Sequence, residues 1–565
     1  PTTAADDRVI QPPEDRIQFL TSTGTWANDA GLPRDIDGAT TTGLGNVDLW
    51  IGGLAEQKMP FGGFLGSTFN FVFETQMEML QDGDRFYYLE RTAGLNFLSE
   101  LENNSFAKLI MANTDATHLP ADVFSTPGFI LEVDASQQFT GLGADGRADP
   151  EGVIRNNPAT AGLDGNYLEY TGDEHVVLGG TNPGSLINPS GEDILIASIG
   201  DDTIYGDGGD DRIEGGDGND FIQGGTGDDI ITDQGGDDNI KGDDGNDVIH
   251  AGNGLNLILG GFGSDFIITG EDASEAFGGT GNDFILGNRA NEAVFGNEGD
   301  DWIQFGAADG GAGDNFDPFA ADPVFGHDVF FGDSLADRMD GEGGDDIMMG
   351  NGGQGDRYEG MSGFDWASFA HHDAGIAVDM RIRAFDETPL PQGSPGILTR
   401  YEAVEGLSGS QHSDILQGDD STIANLAPAG VLGHGGAEGS FLTQAGIDRI
   451  AGLQELLDDL LGGTVTSFAA GNIILGGDGS DIIIGGEGDD LIDGDSRLDT
   501  YISVRANPNG TGAELQRADD MTQLIPFMLD GSINPGQLVI VRQVVSDTNL
   551  VDSEDPAFNG IDFDT

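Results

Sequence analysis

Cysteine is absent from the 565 residues, which excludes disulfides, thiolate metal sites and cysteine nucleophiles. Basic residues are scarce, 22 Lys and Arg against 100 Asp and Glu, for a formal charge of −78. Such a surface repels nucleic acid and anionic membrane, so neither is an expected partner. Bound cations are expected to neutralise much of the charge. No apolar run approaches the ~18 residues of a membrane span. Neither H-E-x-x-H nor G-x-S-x-G occurs, which removes the zinc-protease and lipase signatures. The chain opens at Pro1 with neither an initiator Met nor a signal peptide, and reads as a processed or excerpted piece.

What is abundant is glycine, 93 residues, and it is not scattered. Over residues 179–304 one nine-residue pattern runs fourteen times, as in Gly215-Gly-Asp-Gly-Asn-Asp-Phe-Ile-Gln223. Its sixth column holds Asp193, Asp202, Asp211, Asp220, Asp229, Asp238, Asp247, Asp265, Asp283 and Asp301, and its eighth is apolar throughout. Glycines permit the positive φ of a tight turn and let carbonyls point at a common centre. Asp adds a hard charged oxygen, which suits Ca²⁺. The next three residues make a short strand with its middle side chain inward. One coil buries two such side chains, so coils must stack. A disordered Gly/Asp linker would not hold an apolar residue in one column. The pattern resembles the calcium-binding nonapeptide of RTX proteins, which implies a parallel β-roll loaded with calcium ions.

The fold class expected is therefore mainly β: a parallel β-roll with a small N-terminal helical segment and extra β segments at the C-terminus. Residues 1–130 form the helical segment, with apolar positions Leu65, Phe69, Val72, Phe73, Met77 and Leu80 on one helical stripe and a second helical pattern around Leu98–Met111. Residues 131–178 read as a connector and 179–304 as the roll. A degenerate repeat block spans 305–370, with Asp328, Asp337 and Asp346 in the Asp column. Residues 371–408 read as a non-repeat β insertion. A third block, 409–495, carries Asp414, Asp481 and Asp490 and a helical insertion near 441–461. Residues 496–565 read as strands without a closing element.

Val47-Asp-Leu-Trp-Ile-Gly-Gly53 with Glu56, Asp82-Gly-Asp-Arg-Phe-Tyr87 and Ile110 to Thr114 resemble the C-terminal portion of the animal-type haem peroxidases. That family's haem ligands lie upstream of the matching segment, so the resemblance implies haem only in a part of the protein that precedes this chain and assigns no catalytic residue here. Asp48, Trp50 and Asp84-Arg85 read as fold-holding residues, and His118 as a surface histidine. The succession through Gly360-Met-Ser-Gly-Phe-Asp-Trp366, Val404–Gly409 and Asn534–Arg542 resembles very large secreted bacterial haem peroxidases with calcium-binding repeats. Manganese oxidation is associated with some of them.

Other strings are weaker. Gly141-Leu-Gly-Ala-Asp-Gly146 is formally G-x-G-x-x-G but has no βαβ unit around it. Phe331-Gly-Asp-Ser-Leu335 and Asp115-Ala-Thr-His118 mimic esterase blocks in reversed order, and the nonapeptide register already accounts for the first. His371, His372 and His412 read as solvated.

The combined expectation is a calcium-binding region of a secreted haem peroxidase, exported by a type I system and folding on extracellular calcium. The alternative is a structural or adhesive matrix protein with a non-catalytic peroxidase-like scaffold. Calcium ions, the upstream peroxidase part or other copies of the chain are the expected partners. Two finer expectations concern the roll. With two units per coil, even-numbered turns carry Asp193 through Asp301 without a break, whereas odd-numbered turns carry Asp202, Asp220 and Asp238 and then Asn256, Ser274 and Glu292. Calcium should therefore line the even edge, about six ions, and stop early on the odd edge after about two or three. The outward residues Phe266, Phe284, Leu257, Leu259, Phe277, Phe295 and Trp302 should make both faces of the second half covered surfaces.

Overall fold

The apolar eighth column fixes the architecture. In the computed structural model Leu195, Ile204, Ile213, Ile222, Ile231, Ile240, Ile249, Ile258, Ile267 and Ile285 all have 0% exposure. They form one continuous file of side chains between two parallel sheets. The structure describes residues 106–546 apart from 115, 126, 135–139, 141, 144–145, 157–165, 185–189, 288–292, 305–311, 314–325, 333–336, 342, 351–354, 384–398, 421–440 and 470. The helical stripe Leu65–Leu80 and the peroxidase-like strings before residue 106 lie outside these residues.

Successive units alternate between the sheets, so each strand pairs with the one 18 residues on: Ile222 with Ile240, Ile240 with Ile258, Ile231 with Ile249. One sheet has 12 strands, including Thr203–Gly208, Phe221–Thr226 and Asn239–Asp244; the other has 15, including Arg212–Glu214, Ile230–Thr232 and Val248–His250. This is the expected roll, two units to a coil.

The roll is longer than the repeat. In the expected connector, Tyr167–Tyr170 pairs in parallel with Ile194–Ile196, and Val176–Thr181 pairs with Phe129–Glu132 on one side and Thr203–Gly208 on the other. Within 371–408, Arg400–Glu402 and Gly406–Ser408 each join one of the two sheets, while Ala377–Asp379 heads a separate three-stranded sheet. Leu168, Tyr401 and Leu407 supply the inward apolar residue there without the glycines. The backbone ladder needs only an extended strand and one buried side chain per half-coil.

The late helical pattern forms two helices, Gln444–Arg449 and Leu453–Leu461, broken at Gly452, whose φ is +85°. The tail does fold: Ser496–Arg505 pairs antiparallel with Glu514–Ala518 and with Leu538–Ser546. These segments make a second apolar core against the outer face of the 15-stranded sheet, where Phe266, Phe284 and Trp302 meet Leu453, Leu457, Ile502 and Met528. Gln304 anchors the contact, its amide donating to Asp520 and its oxygen accepting from Met521 N–H. The other sheet differs from the expectation. Leu257, Leu259, Phe277 and Phe295 are only half-buried, Phe277 and Phe295 shielding each other by stacking at 5.1 Å. Among the described residues no helix is long and apolar enough to cross a membrane.

Candidate calcium-binding edges

Each Asp of the sixth column sits at the mouth of a turn, immediately before a strand, and uses its two oxygens differently. On the even edge Oδ1 accepts the backbone N–H of the Asp one coil earlier: Asp193 to Asp211, then Asp229, Asp247, Asp265, Asp283 and Asp301, each step 2.7–2.8 Å. The ladder continues through Asp328, Asp346 and Asp365 and closes on Glu405 Oε2 at 3.1 Å. The second oxygen is left over. Oδ2 of Asp211, Asp229, Asp247, Asp265, Asp283, Asp301, Asp346 and Asp365 is buried without a hydrogen-bond partner. It faces the glycine five residues earlier. A Cβ at Gly206, Gly224, Gly242, Gly260 or Gly278 would strike both that oxygen and the carbonyl of the glycine one coil on. Carboxylate and carbonyl oxygens thus converge on a space that only glycine leaves open, a donor set of hard oxygens that fits Ca²⁺.

Burial without a cation has an electrostatic consequence. Desolvation pushes Asp211 up to about 9, Asp229 and Asp265 to about 8, and Asp220 and Asp301 to about 7. Several charges this deep are untenable unless protonated or matched by cations.

The odd edge starts the same way and then changes. Val176 N–H donates to Asp202 Oδ1, Asp202 to Asp220 and Asp220 to Asp238, at 2.7–2.8 Å. Oδ2 of these three is again unpartnered. The ladder then lengthens to 3.0 Å at Asn256 Oδ1 and 3.3 Å at Ser274 Oγ. The Asn256 amide donates to the Ala251 carbonyl at 2.9 Å, and the single Ser274 hydroxyl proton is shared among the carbonyls of Asp272, Thr269 and Gly254 at 3.3–3.4 Å. At Asn256 a side-chain donor thus satisfies a first-column carbonyl, where an Asp offers none.

The remaining predicted ligands divide. Asp337 is buried on the odd edge and donates its N–H to Asp356 at 3.2 Å. Asp193 Oδ2 is taken by the N–H and hydroxyl of Thr181. Asp414 is held by Ser410 through both oxygens. Asp481 and Asp490 lie half-buried at the far end, receiving N–H groups from Asp414 and Asn472. One acid escaped the sequence pattern. Asp233, in the first column where Gly215 stands a coil earlier, joins Asp220 and Asp238. The missing glycine was the signal.

His118 is not a surface residue. It is 7% exposed, with Nδ1 3.1 Å from Glu132 and Nε2 3.2 Å from Asp207. Burial alone would lower it; the hydrogen bonds and charges of Asp207 and Glu132 prevail and lift it to about 9. Both ring nitrogens are occupied by carboxylates, so neither is free to ligate a metal. His371 Nε2 donates to the Thr500 carbonyl, 3.2 Å away, and among the described residues no metal-ligand grouping includes it.

Fold and edges together define a calcium-binding RTX β-roll. The RTX calcium-binding nonapeptide repeat matches 190–303 in overlapping blocks, 324–356 and 468–496, and the animal haem peroxidase family matches 42–124. Among curated proteins the chain is similar to thyroid peroxidase of Sus scrofa, 33% identical over 163 residues, 25% of this chain and 17% of that protein. It is similar to a peroxidasin homologue of Caenorhabditis elegans, 35% over 89 residues, 15% of this chain and 7% of that protein. It is also similar to human eosinophil peroxidase, 34% over 80 residues, 14% of this chain and 11% of that protein. The chain thus spans under a fifth of the length of these relatives. No solved structure matches it. It combines a peroxidase-like segment with calcium-binding repeats.

Proposed function

We propose that the chain is the calcium-binding repeat region of a secreted haem peroxidase and folds on meeting extracellular calcium. The observation that carries this is the row of buried carboxylate oxygens without partners along the even edge. Each Asp both holds coil spacing through Oδ1 and offers Oδ2 to a cation, so forming the coils creates the sites. Asp202, Asp211, Asp220, Asp229, Asp238, Asp247, Asp265, Asp283, Asp301 and Asp346 would hold calcium with the turn carbonyls. The even edge takes about six ions between Asp193 and Asp301, and the odd edge two or three before Asn256. Without calcium the like charges repel, and the chain stays unfolded and exportable through a type I system. Extracellular-type sites of ~10⁻⁴–10⁻³ M affinity suit that switch. The acids neutralise the charge of bound calcium; the haem, supplying peroxidase chemistry, belongs to the part upstream. Circular dichroism of the purified chain should gain β-structure on adding Ca²⁺ and lose it with EDTA. β-structure indifferent to chelator would sink the reading, and a stoichiometric Soret band from this chain would refute the placement of the haem.

A further inference from the structure

Within the odd edge one step is built unlike the rest. Asp233 points inward because its Oδ1 accepts Gly216 N–H at 3.0 Å. Asp220 and Asp238 are oriented by the ladder, accepting from Asp202 and Asp220. All three side chains are 3–4% exposed, and Oδ2 of each has no partner. Ligand atoms of the three lie within 4.8 Å of one another, the one such grouping of three among the described residues. A regular step offers an ion one sixth-column carboxylate from each of two coils; here the first column adds a third. The row also ends at this place, since the Asn256 amide fills the next step by donating to Ala251.

We propose that Asp220, Asp233 and Asp238 form a three-carboxylate calcium site, tighter than the other steps and the first to fill. The inference rests on the calcium reading of the roll. Affinity for a hard divalent cation rises with the number of charged oxygens and the rigidity of their support. Here both are present, because ladder and Gly216 hold all three acids before any ion arrives. The first ion would fix two neighbouring odd-edge turns and so seed the coils that carry the weaker sites.

The test is equilibrium dialysis of the full chain against graded free calcium, counting bound calcium by atomic emission. Wild type should bind one ion at a free concentration roughly ten-fold or more below the rest. Asp233→Gly restores the residue found at Gly215, and Asp233→Asn keeps the bond to Gly216; both should lose the early ion and leave the main step in place. Asp247→Asn, on the other edge, should keep the early ion. A wild type that fills in a single step, or an Asp233→Asn chain that retains the early ion, overturns the proposal. A chain that binds no calcium at all overturns the calcium reading as well.

Discussion

Replacing Asp265 by Asn in the middle of the even edge should stabilise the metal-free fold and reduce what calcium adds to it. Asn keeps an oxygen to accept Asp247 N–H, now 2.8 Å from Oδ1. Its amide can donate to the first-column carbonyl, the arrangement the chain already uses at Asn256. In the metal-free fold burial lifts the Asp265 carboxyl from 3.8 to about 8. A folded-state value above the unfolded one means stability that is whole below 3.8 and is lost as pH rises through 8. The loss is on the order of 5 kcal/mol for this carboxyl alone. Asp211, Asp229 and Asp301 shift the same way, so the buried acids of this edge together oppose the metal-free fold toward neutral pH. Metal-free roll should therefore survive in acid and unfold toward neutrality. Asp265→Asn should move that unfolding midpoint to higher pH in EDTA. In calcium the wild type recovers part of this: a site of ~10⁻⁴–10⁻³ M affinity contributes about 1.4–2.7 kcal/mol at about 10 mM calcium, a gain the variant should lack, so calcium should raise its stability less. Far-UV circular dichroism against pH in EDTA, and against calcium at pH 7.5, reads both midpoints. Equal destabilisation under the two conditions would refute the reasoning, because it would make Oδ2 an ordinary structural acceptor.

Phe284→Ala should cost about 3–5 kcal/mol in calcium-loaded protein, since the ring is fully enclosed against the C-terminal segments; half-buried Phe295→Ala should cost clearly less, and equal urea midpoint shifts would contradict the covered face. Gly224→Ala should remove bound calcium at saturation, because its Cβ enters the space between Asp229 Oδ2 and the Gly242 carbonyl; an unchanged count by atomic emission would argue against that cradle. His118, raised to about 9, stabilises its contacts with Asp207 and Glu132 fully below its ordinary 6.5 and loses this as pH passes 9. NMR titration of the ring, assigned with His118→Gln, should give a midpoint above 8, whereas a midpoint near 6.5 would refute the double pairing.

How much of this was legible in the sequence depends on which interaction fixed each part. The apolar column was readable because one buried Ile per half-coil is a strict period, and every described member proved enclosed. The asymmetry between edges was readable too, since Asn256 and Ser274 bring their own donors where Asp leaves an open oxygen. The first coils were not. Tyr167–Tyr170 and Phe129–Glu132 lie outside the nonapeptide register, yet they pair in parallel with strands of the roll. Their partners lie 27 and 47 residues on, Tyr167 with Ile194 and Phe129 with Val176, so the parallel ladder forms without the 18-residue period. His118 was misread for a related reason: its acidic partners, Glu132 and Asp207, lie 14 and 89 residues away, and no local pattern brings them together.

The protein donors show where the rows stop. Asp193 begins the even ladder, and its Oδ2 is closed by Thr181. Asp414, beyond the main blocks, is closed by Ser410. Between Asp211 and Asp301 no hydroxyl or amide of the described residues reaches the corresponding oxygens. A buried carboxylate oxygen without any donor is strongly unfavourable, and meeting the same omission coil after coil requires a common solution. A cation held between coils would supply it and would also neutralise the charge that otherwise drives the strands apart. The same reasoning explains the C-terminal segments. Arg449 pairs with Asp345 and Arg542 lies 3.7 Å from Asp300, both acids on the outer side of even-edge turns. Fixed positive charge therefore serves the outside of the edge, where a side chain can reach, and the enclosed inner oxygens are left to an ion small enough to enter between coils.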